Sequence, residues 1–364
     1  MWANCAVFRY GRRLCVFTLG GARMAIVKVK TEEAIGKVLG HDITKIVPGE
    51  YKGPAFKKGH IIRPEDIEHL KQIGKDHIFL IELGEGQVHE NDAILRMANA
   101  IAGDNIRQTE PREGRINLLA SIDGLLKVDR QAVTAINQIE HAVLSTRHSN
   151  ILVKAGDQIA GIKVVPLVVS EEMVSAVETA AADYSSIISV RPLKQMTVGV
   201  VVTGNEVFYG RIQDRFSPVF AAKIAQYGAL PAGIVYQPDD RQKITDAILK
   251  FKNDGVDVVI ATGGMSVDPD DVTPEAIRAT GAHVISYGTP VLPGAMFMLA
   301  YLEQTAVMGM PACGMYSKTT VFDLIFPRVL AGEKLTKNDI AAMGYGGLCV
   351  SCPTCSFPHC PFGK

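Results

Sequence analysis

Two short loops hold most of the side chains and glycines that could recognise a ligand. The first carries Thr203, Gly204, Asn205, Glu206 and Asp214, and the second carries Thr262, Gly263, Gly264, Met265, Ser266, Asp268, Asp270 and Asp271. Glycine allows close backbone approach and unusual dihedrals, so paired amides can face an oxyanion or a phosphate. The carboxylates could hold a divalent cation such as Mg2+, which would neutralise the ligand's charge.

The second loop also has a simpler interpretation. Gly263 and Gly264 could merely turn the chain, and the aspartates could be the solvated start of a helix with Thr273 as its cap and Pro274 in its first turn. For an isolated pair of glycines this is the commoner outcome. The surrounding elements must decide between the two interpretations.

From Met196 onward, apolar runs alternate with amphipathic segments, the pattern of βαβ units and a mostly parallel sheet. Strands are predicted at 197–203, 232–236, 256–261, 283–286, 297–301 and 306–308, and helices at 218–227, 241–252 and 315–330. Ligands of open α/β sheets bind at the carboxyl ends of strands, where both loops begin. We therefore predict a three-layer α/β domain over residues 195–332, with both loops lining one cleft.

The preceding residues predict smaller units. Residues 24–114 are predicted as an α+β domain with a strand at 25–30, a helix at 31–40, a loop-rich stretch, a helix from about 64 to 73, a strand at 76–83 and a helix at 91–102. A boundary is expected near Pro111, followed at 115–194 by a β-rich accessory module whose one helix lies near 170–182. Because Met24 opens the first convincing pattern, residues 1–23 are interpreted as an upstream extension or non-native segment.

Composition excludes some partners. Apolar residues make up 47% of the 364 residues, and 38 basic side chains balance 38 acidic ones, so no global positive field attracts nucleic acid. No run of about 18–20 apolar residues predicts a membrane span. The sequence favours a cytoplasmic protein that binds neither nucleic acid nor membrane.

The tail, residues 333–364, is rich in cysteine. Cys349, Cys352, Cys355 and Cys360 offer four closely spaced thiols, which predicts metal rather than disulfides, either zinc or an iron–sulfur cluster. The last spacing is one residue too long for the usual bacterial ferredoxin pattern. Free thiols crowded by chance are the alternative.

Four segments resemble the molybdenum-cofactor biosynthesis family, which includes gephyrin. TGGMSVDPDDVTPEA, residues 262–276, resembles the Thr-Gly-Gly loop of molybdopterin adenylyltransferases, with a Met-Ser core similar to the Gly-Gly-Val-Ser of molybdotransferases. TGNEV at 203–207 is similar to the family's Thr-Gly-Asp-Glu-Leu strand end. Pro293-Gly294 and Gly309-Met310-Pro311 stand where the family has its Pro-Gly and Gly-Leu-Pro-Gly-Asn-Pro loops.

The resemblance implies that molybdopterin or the molybdenum cofactor binds in the cleft, with Asp271 at the position of the family's functional aspartate. The residues it assigns to the cofactor are Thr203, Gly204, Asn205, Glu206, Asp214, Thr262, Gly263, Gly264, Met265, Ser266, Asp271, Pro293, Gly294, Gly309 and Pro311. It further implies molybdate as a second ligand, a client molybdoenzyme as a partner, and a homo-oligomer.

Departures from the family pattern leave three functions open. Asn205 replaces an aspartate, Asp270 an arginine, and Ala312-Cys313 a Gly-Asn pair, while Leu292 stands near a position where lysine is common. These changes favour a carrier that delivers the cofactor. The alternative is a molybdotransferase that takes adenylylated molybdopterin and molybdate, uses Mg2+ at Asp271 and releases AMP. A competence-damage-type nucleotide pyrophosphatase is a third hypothesis, against which the Asp-Val-Thr-Pro-Glu-Ala run argues.

Overall fold

The computed structural model describes residues 7–9, 12–19, 22–47, 51–266 and 271–364. Asp268 and Asp270 of the second loop, and residues 1–6, 10–11 and 20–21 of the predicted extension, lie outside the described residues. No helix within the described ranges is long and apolar enough to cross a bilayer.

The strands and helices before residue 195 are short. The strands are β1 (Val7–Arg9), β2 (Arg12–Leu19), β3 (Ala22–Lys30), β4 (Val38–Leu39), β5 (Ile43–Val47), β6 (Tyr51–Phe56), β7 (His77–Glu82), β8 (Gln87–His89), β9 (Ile106–Gln108), β10 (Arg115–Ala120), β11 (Gly124–Val128), β12 (Ala142–Thr146), β13 (Ile151–Val153), β14 (Gln158–Val164), β15 (Val168–Ser170) and β16 (Ile188–Arg191). The helices are α1 (Asp66–Gln72), α2 (Glu90–Ile101), α3 (Arg130–Asn137) and α4 (Glu171–Ala182).

Elements after residue 195 alternate between strand and helix up to β20. The strands are β17 (Thr197–Thr203), β18 (Leu230–Gln237), β19 (Val258–Thr262), β20 (His283–Tyr287), β21 (Met298–Leu302) and β22 (Thr305–Met310). The helices are α5 (Asn205–Phe208), α6 (Phe216–Gln226), α7 (Arg241–Asn253), α8 (Thr273–Ala279), α9 (Cys313–Tyr316), α10 (Val321–Leu330) and α11 (Lys337–Ala342).

The chain forms two compact units whose segments interleave. The first comprises Met1–Leu119, Asp129–Arg147 and Gln158–Ile188, and the second comprises Ala120–Val128, His148–Asp157 and Ser189–Lys364. The first unit contains one sheet of order β1-β2-β3-β7-β4 and another of order β12-β14-β10-β9. In the second unit, a small sheet of order β13-β11-β16 accompanies the main sheet.

The main sheet of the second unit has the order β18-β17-β19-β22-β21-β20. Strands β18, β17, β19 and β22 run parallel, whereas β21 and β20 pair antiparallel at the other edge. The predicted α/β class with a mostly parallel centre is confirmed. The antiparallel edge arises because β21 and β22 are joined by a tight turn, which cannot link parallel neighbours.

Both faces of this sheet are buried, as a three-layer domain requires. Along β17, Val200 and its alternate neighbours pack with α6 and α10, for example with Phe220 and Phe326. Val201, on the opposite face, packs with α7 and α8, for example with Ile248. This double burial explains why β17 and β19 are continuous apolar runs rather than alternating ones.

Several local predictions are wrong. The predicted helix at 31–40 is only a 3-10 turn at Thr31–Ala34 followed by β4, and the loop-rich stretch contains the hairpin β5–β6. The accessory module at 115–194 was predicted to contain one helix, near 170–182. It contains α4 there and a second helix, α3. The predicted helix at 315–330 is two helices, because Thr320 and Asp323 form a capping box that begins α10 afresh.

Candidate functional site

The carboxyl ends of β17 and β19 lie side by side, as expected from the sequence. Val202 pairs with Thr262 in parallel register. One residue further along, the Thr203 hydroxyl donates to the Thr262 carbonyl over 3.3 Å. The loops that begin at Gly204 and Gly263 therefore leave the same edge of the sheet.

Gly263 and Gly264 adopt a backbone that favours glycine, with φ values of +98° and +53°. A Cβ on Gly263 would lie 2.3 Å from the Thr203 carbonyl oxygen, so this position excludes every side chain. A Cβ on Gly264 would lie 3.1 Å from Thr273 Oγ1 and 3.6 Å from Asp271 Oδ1. The turn therefore presents bare backbone beside a carboxylate, an arrangement suited to a ligand that approaches closely.

Thr273 holds this turn closed. Its hydroxyl donates to the Gly263 carbonyl over 2.8 Å and lies 3.1 Å from Thr203 Oγ1, while its amide donates to the Gly264 carbonyl over 3.2 Å. The Thr262 hydroxyl is buried and has no hydrogen-bond partner within the described residues. Thr273 thus fixes the turn by its side chain as well as opening α8.

The first loop is tied to the end of β18. The Asn205 amide donates to Asp239 Oδ2 over 2.9 Å, and the Asp239 amide donates to Asn205 Oδ1 over 3.4 Å. Asp214 is occupied elsewhere, since it accepts the Phe216 amide over 2.7 Å and the Tyr236 hydroxyl over 3.0 Å. Although burial opposes the shift, hydrogen bonds from Ser217, Phe216 and Tyr236 lower the pKa of Asp214.

Family comparison identifies the domain that carries this edge. Residues 199–331 match the family described as "Probable molybdopterin binding domain", and residues 28–82 match a domain of unknown function, DUF8806. This match covers just over a third of the chain, residues 199–331, which we call the molybdopterin-binding domain. The resemblance found in the sequence is confirmed for this molybdopterin-binding domain.

Curated relatives extend the similarity unevenly. The molybdopterin molybdenumtransferase of Staphylococcus epidermidis is 24% identical over 307 residues, which cover 78% of this chain and 66% of that protein. The chain therefore spans just under two thirds of this relative. A CinA-like protein of Mycobacterium tuberculosis is 38% identical over 80 residues, which cover 22% of this chain and 18% of that protein.

Solved structures of MoaB proteins are also similar. The molybdopterin biosynthesis enzyme MoaB of Thermus thermophilus is 18% identical, with 38% of this chain and 98% of that chain covered and a TM-score of 0.32. The tungsten cofactor synthesizing protein MoaB of Pyrococcus furiosus is 17% identical, with 38% and 97% covered and a TM-score of 0.32. TM-scores at this level carry no conclusion of their own.

Within the molybdopterin-binding domain, Met265 and Ser266 differ in exposure. Ser266 is exposed, whereas Met265 is buried and covers Gly309, where a Cβ would lie 2.5 Å from Met265 Cε. The Tyr287 hydroxyl lies 3.3 Å from the Met265 carbonyl oxygen and 3.2 Å from that of Ser266. It donates a hydrogen bond to the backbone of the second loop. Burial raises the pKa of Tyr287.

The remaining predicted loops lie at the start of α10 and at the end of β22. Gly294 packs on Val321, where a Cβ would lie 2.5 Å from Val321 Cγ1, and its carbonyl accepts the Thr289 hydroxyl over 2.9 Å. Gly309 is at the carboxyl end of β22, opposite Ala261 of β19, and Pro311 follows one residue after that strand ends. Gly309 thus shares the edge of the two main loops. Pro293 and Gly294 make no hydrogen bond to Gly263 or Gly264 in the described part of the chain.

The described residues do not support the predicted metal site in the cysteine tail. Among the described residues, which include all four cysteines, no group of three or more His, Cys, Asp or Glu could hold a metal. Cys349 and Cys360 pack against the core of the domain, whereas Cys352 and Cys355 are exposed. Cys355 Sγ lies 3.3 Å from Thr319 Oγ1. Zinc and iron–sulfur are therefore not supported, because the thiols face different surroundings instead of one point.

Sequence reasoning missed Tyr287 and Asp239 as members of this edge. Asp239 lies two residues after the end of β18, so a systematic search of strand ends would have found it. Tyr287 stands at the end of β20, and the sequence gives no sign that this strand reaches the loop. The hydroxyl link between Thr203 and Thr273 was likewise invisible, since the two residues are distant in sequence.

Proposed function

We propose that the molybdopterin-binding domain holds molybdopterin or the molybdenum cofactor reversibly at the carboxyl edge of its sheet. The protein would then act in cofactor maturation or in delivery to a client molybdoenzyme. The proposal includes a cytoplasmic location and a homo-oligomeric state.

The glycine turn locked by Thr203 and Thr273 carries the proposal. Glycine is required at position 263, since a Cβ there would lie 2.3 Å from the Thr203 carbonyl oxygen, and Thr262 adds a buried hydroxyl with no hydrogen-bond partner among the described residues. These features fit a ligand held mainly by backbone groups and small hydroxyls. A pterin ring and a phosphate both accept such contacts without a strong positive field.

Charge at the edge favours binding over catalysis. Asn205 supplies an amide oxygen to Asp239 where the family's aspartate would place a second carboxylate beside it. Of the carboxylates assigned to the site from the sequence, Asp214 accepts the Phe216 amide at the start of α6. Asp271 remains beside Gly264 as the residue that would hold Mg2+ if the protein is a molybdotransferase.

The molybdotransferase alternative also has support. The similarity to the molybdopterin molybdenumtransferase of Staphylococcus epidermidis extends over 307 residues, far beyond the domain match. In that case the domain would take adenylylated molybdopterin and molybdate, and AMP would be released. The CinA-type alternative is weaker, because its match covers only 80 residues.

A matched pair of glycine variants tests the binding site. Gly264→Ala places a methyl group against Thr273 and Asp271, whereas Gly281→Ala, at a similar positive φ of +82°, places one in open space. Both replacements strain the backbone by about 1 kcal/mol, so any extra loss of affinity in Gly264→Ala reports the cleft. We expect pterin affinity, measured by fluorescence titration under exclusion of oxygen, to fall at least tenfold in Gly264→Ala alone. Equal affinity in the two variants would contradict the proposed site.

Asp271→Asn separates a carrier from an enzyme. In a carrier, pterin affinity should change by less than about tenfold, roughly 1.4 kcal/mol, because backbone groups supply the main contacts. In an enzyme that uses Asp271 to position Mg2+, AMP release from adenylylated molybdopterin and molybdate should fall about a hundredfold or more. We expect pterin binding with negligible AMP release from the wild type. Rapid release that Asp271→Asn abolishes would establish the molybdotransferase instead.

A further inference from the structure

A cavity of about 400 Å³ lies within the first compact unit, whereas the proposed pterin site lies in the second. It is bounded by the loop after β6, by the start of α2 and by residues 111–113. Its charged lining includes Lys57, Lys58, Arg63 and Arg112 against Glu90 and Glu113. Cations therefore outnumber carboxylates among these six, although the whole chain is neutral.

Within the described residues, only one of the four cations in this lining forms an ion pair. Lys57 Nζ lies 2.6 Å from Glu113 Oε1, so these two charges neutralise each other. Lys58, Arg63 and Arg112 form no ion pair with any part of the chain that the structure describes. Arginine forks and lysine ammonium groups brought together in a concavity are the usual means of holding a phosphate.

The backbone that presents these cations is held in place. The Lys58 amide donates to Asp42 Oδ1 over 2.6 Å, and the Gly59 amide donates to the Leu39 carbonyl over 2.8 Å. The Arg63 amide donates to Asp66 Oδ2 over 2.9 Å, and the same oxygen lies 2.6 Å from His60 Nε2. These hydrogen bonds anchor the backbone of the loop that carries Lys58 and Arg63.

Glu90, the first residue of α2, forms an acidic part of the lining. A Cβ on Gly114 would lie 2.7 Å from Glu90 Oε2, so the carboxyl group is closely enclosed. Burial raises the pKa of Glu90.

We propose that this cavity binds a phosphorylated small molecule, with the phosphate between Arg63, Arg112 and Lys58. The volume exceeds what a phosphate ion alone needs and lies in the usual range for sites of small molecules. Glu90 and Asn91 line the cavity as well and would contact the non-phosphate part. This site is independent of the proposed pterin cleft, because all of its lining residues belong to the first unit.

The test uses phenyl phosphate and inorganic phosphate as probes in isothermal titration of the full chain. We expect phenyl phosphate to bind the wild type, and to bind the double variant Arg63→Gln, Arg112→Gln at least tenfold more weakly. The matched control is Arg107→Gln, Arg130→Gln, which removes two exposed arginines of the same unit that lie outside the cavity. Stronger binding of phenyl phosphate than of inorganic phosphate would support a phosphorylated molecule rather than the free ion.

A second measurement on the wild type does not depend on whether the variants fold. Phenyl phosphate should protect Arg63 and Arg112, but not Arg107, from modification by phenylglyoxal, as read by peptide mass spectrometry. Equal weakening in the control pair, absence of protection, or no binding by the wild type would overturn the proposal. Pterin affinity should be the same in both double variants, so failure of this site and failure of the pterin cleft can be distinguished.

Discussion

At the scale of single residues, Thr273 shows how one residue can serve both the start of a helix and the turn of the proposed binding site. Its amide and hydroxyl close the glycine turn, and the same residue starts α8 with Pro274 in the first turn. The prediction that Thr273 caps this helix is wrong, because Val272 holds the N-cap position and no side chain of the described residues caps α8. The Thr273 hydroxyl closes the glycine turn instead. A single residue meets both requirements because the turn and the helix N-terminus are the same piece of backbone.

Tyr287 provides a prediction at this scale. Tyr287→Phe removes the hydroxyl that lies near the Met265 and Ser266 carbonyl oxygens and keeps the ring beside Arg278. Loss of one hydrogen bond of about 1 kcal/mol should loosen the loop and weaken pterin binding roughly fivefold, as measured by titration. Tyr209→Phe is the control, since Tyr209 is 61% exposed. Unchanged affinity in Tyr287→Phe would mean that the loop is rigid without its support.

At the scale of elements, a buried charge network joins α6 to the start of α10. Lys223 Nζ lies 2.6 Å from both Asp323 carboxylate oxygens and donates to the Lys318 carbonyl over 3.2 Å. Tyr227 donates to the same carboxylate over 3.0 Å, and burial next to Asp323 raises the pKa of Tyr227. The network fixes the helix start against which Gly294 packs.

Breaking this network should be costly. Lys223→Met leaves the Asp323 carboxylate buried without its cation, which costs about 3–5 kcal/mol when one partner of a buried pair is removed. We expect the midpoint of urea unfolding to fall accordingly. The double variant Lys223→Met, Asp323→Asn should recover part of the loss, because the uncompensated charge is gone. A loss below about 1 kcal/mol in Lys223→Met would show that the pair behaves like a surface ion pair.

The same helix shows where local sequence signals were sufficient and where they were overlooked. The Thr320 and Asp323 capping box is visible in the sequence, yet the apolar pattern on either side led to one continuous predicted helix. By contrast, β17, β19 and α7 were predicted to within two residues at each end, because long apolar runs and amphipathic periods report burial directly. The 3-10 turn at Thr31–Ala34 could not be distinguished from a helix by composition alone.

At the scale of the whole molecule, long-range pairing limited what the sequence could predict. Strands β11 and β13 come from segments that interrupt the first unit, yet they pair with each other in the second. No local pattern reports such an exchange, because strand pairing between distant segments depends on the complete fold. The adjacency of the two loops was predictable for the opposite reason, since a parallel βαβ order by itself brings the carboxyl ends of β17 and β19 together.

The division into two units leads to a prediction about ligand stabilisation. A ligand at 100 times its dissociation constant stabilises the unit that binds it by about 2.7 kcal/mol. Amides of β17 and β19 that exchange only on unfolding should then exchange roughly a hundredfold more slowly, as hydrogen–deuterium exchange with mass spectrometry would measure. Amides of β10 and β14 should be unaffected, because every contact described for the glycine turn lies in the second unit. Gly264→Ala at the same ligand concentration serves as the control and should show little slowing. If β10 and β14 slow as much as β17, the pterin must engage both units or the two must unfold together.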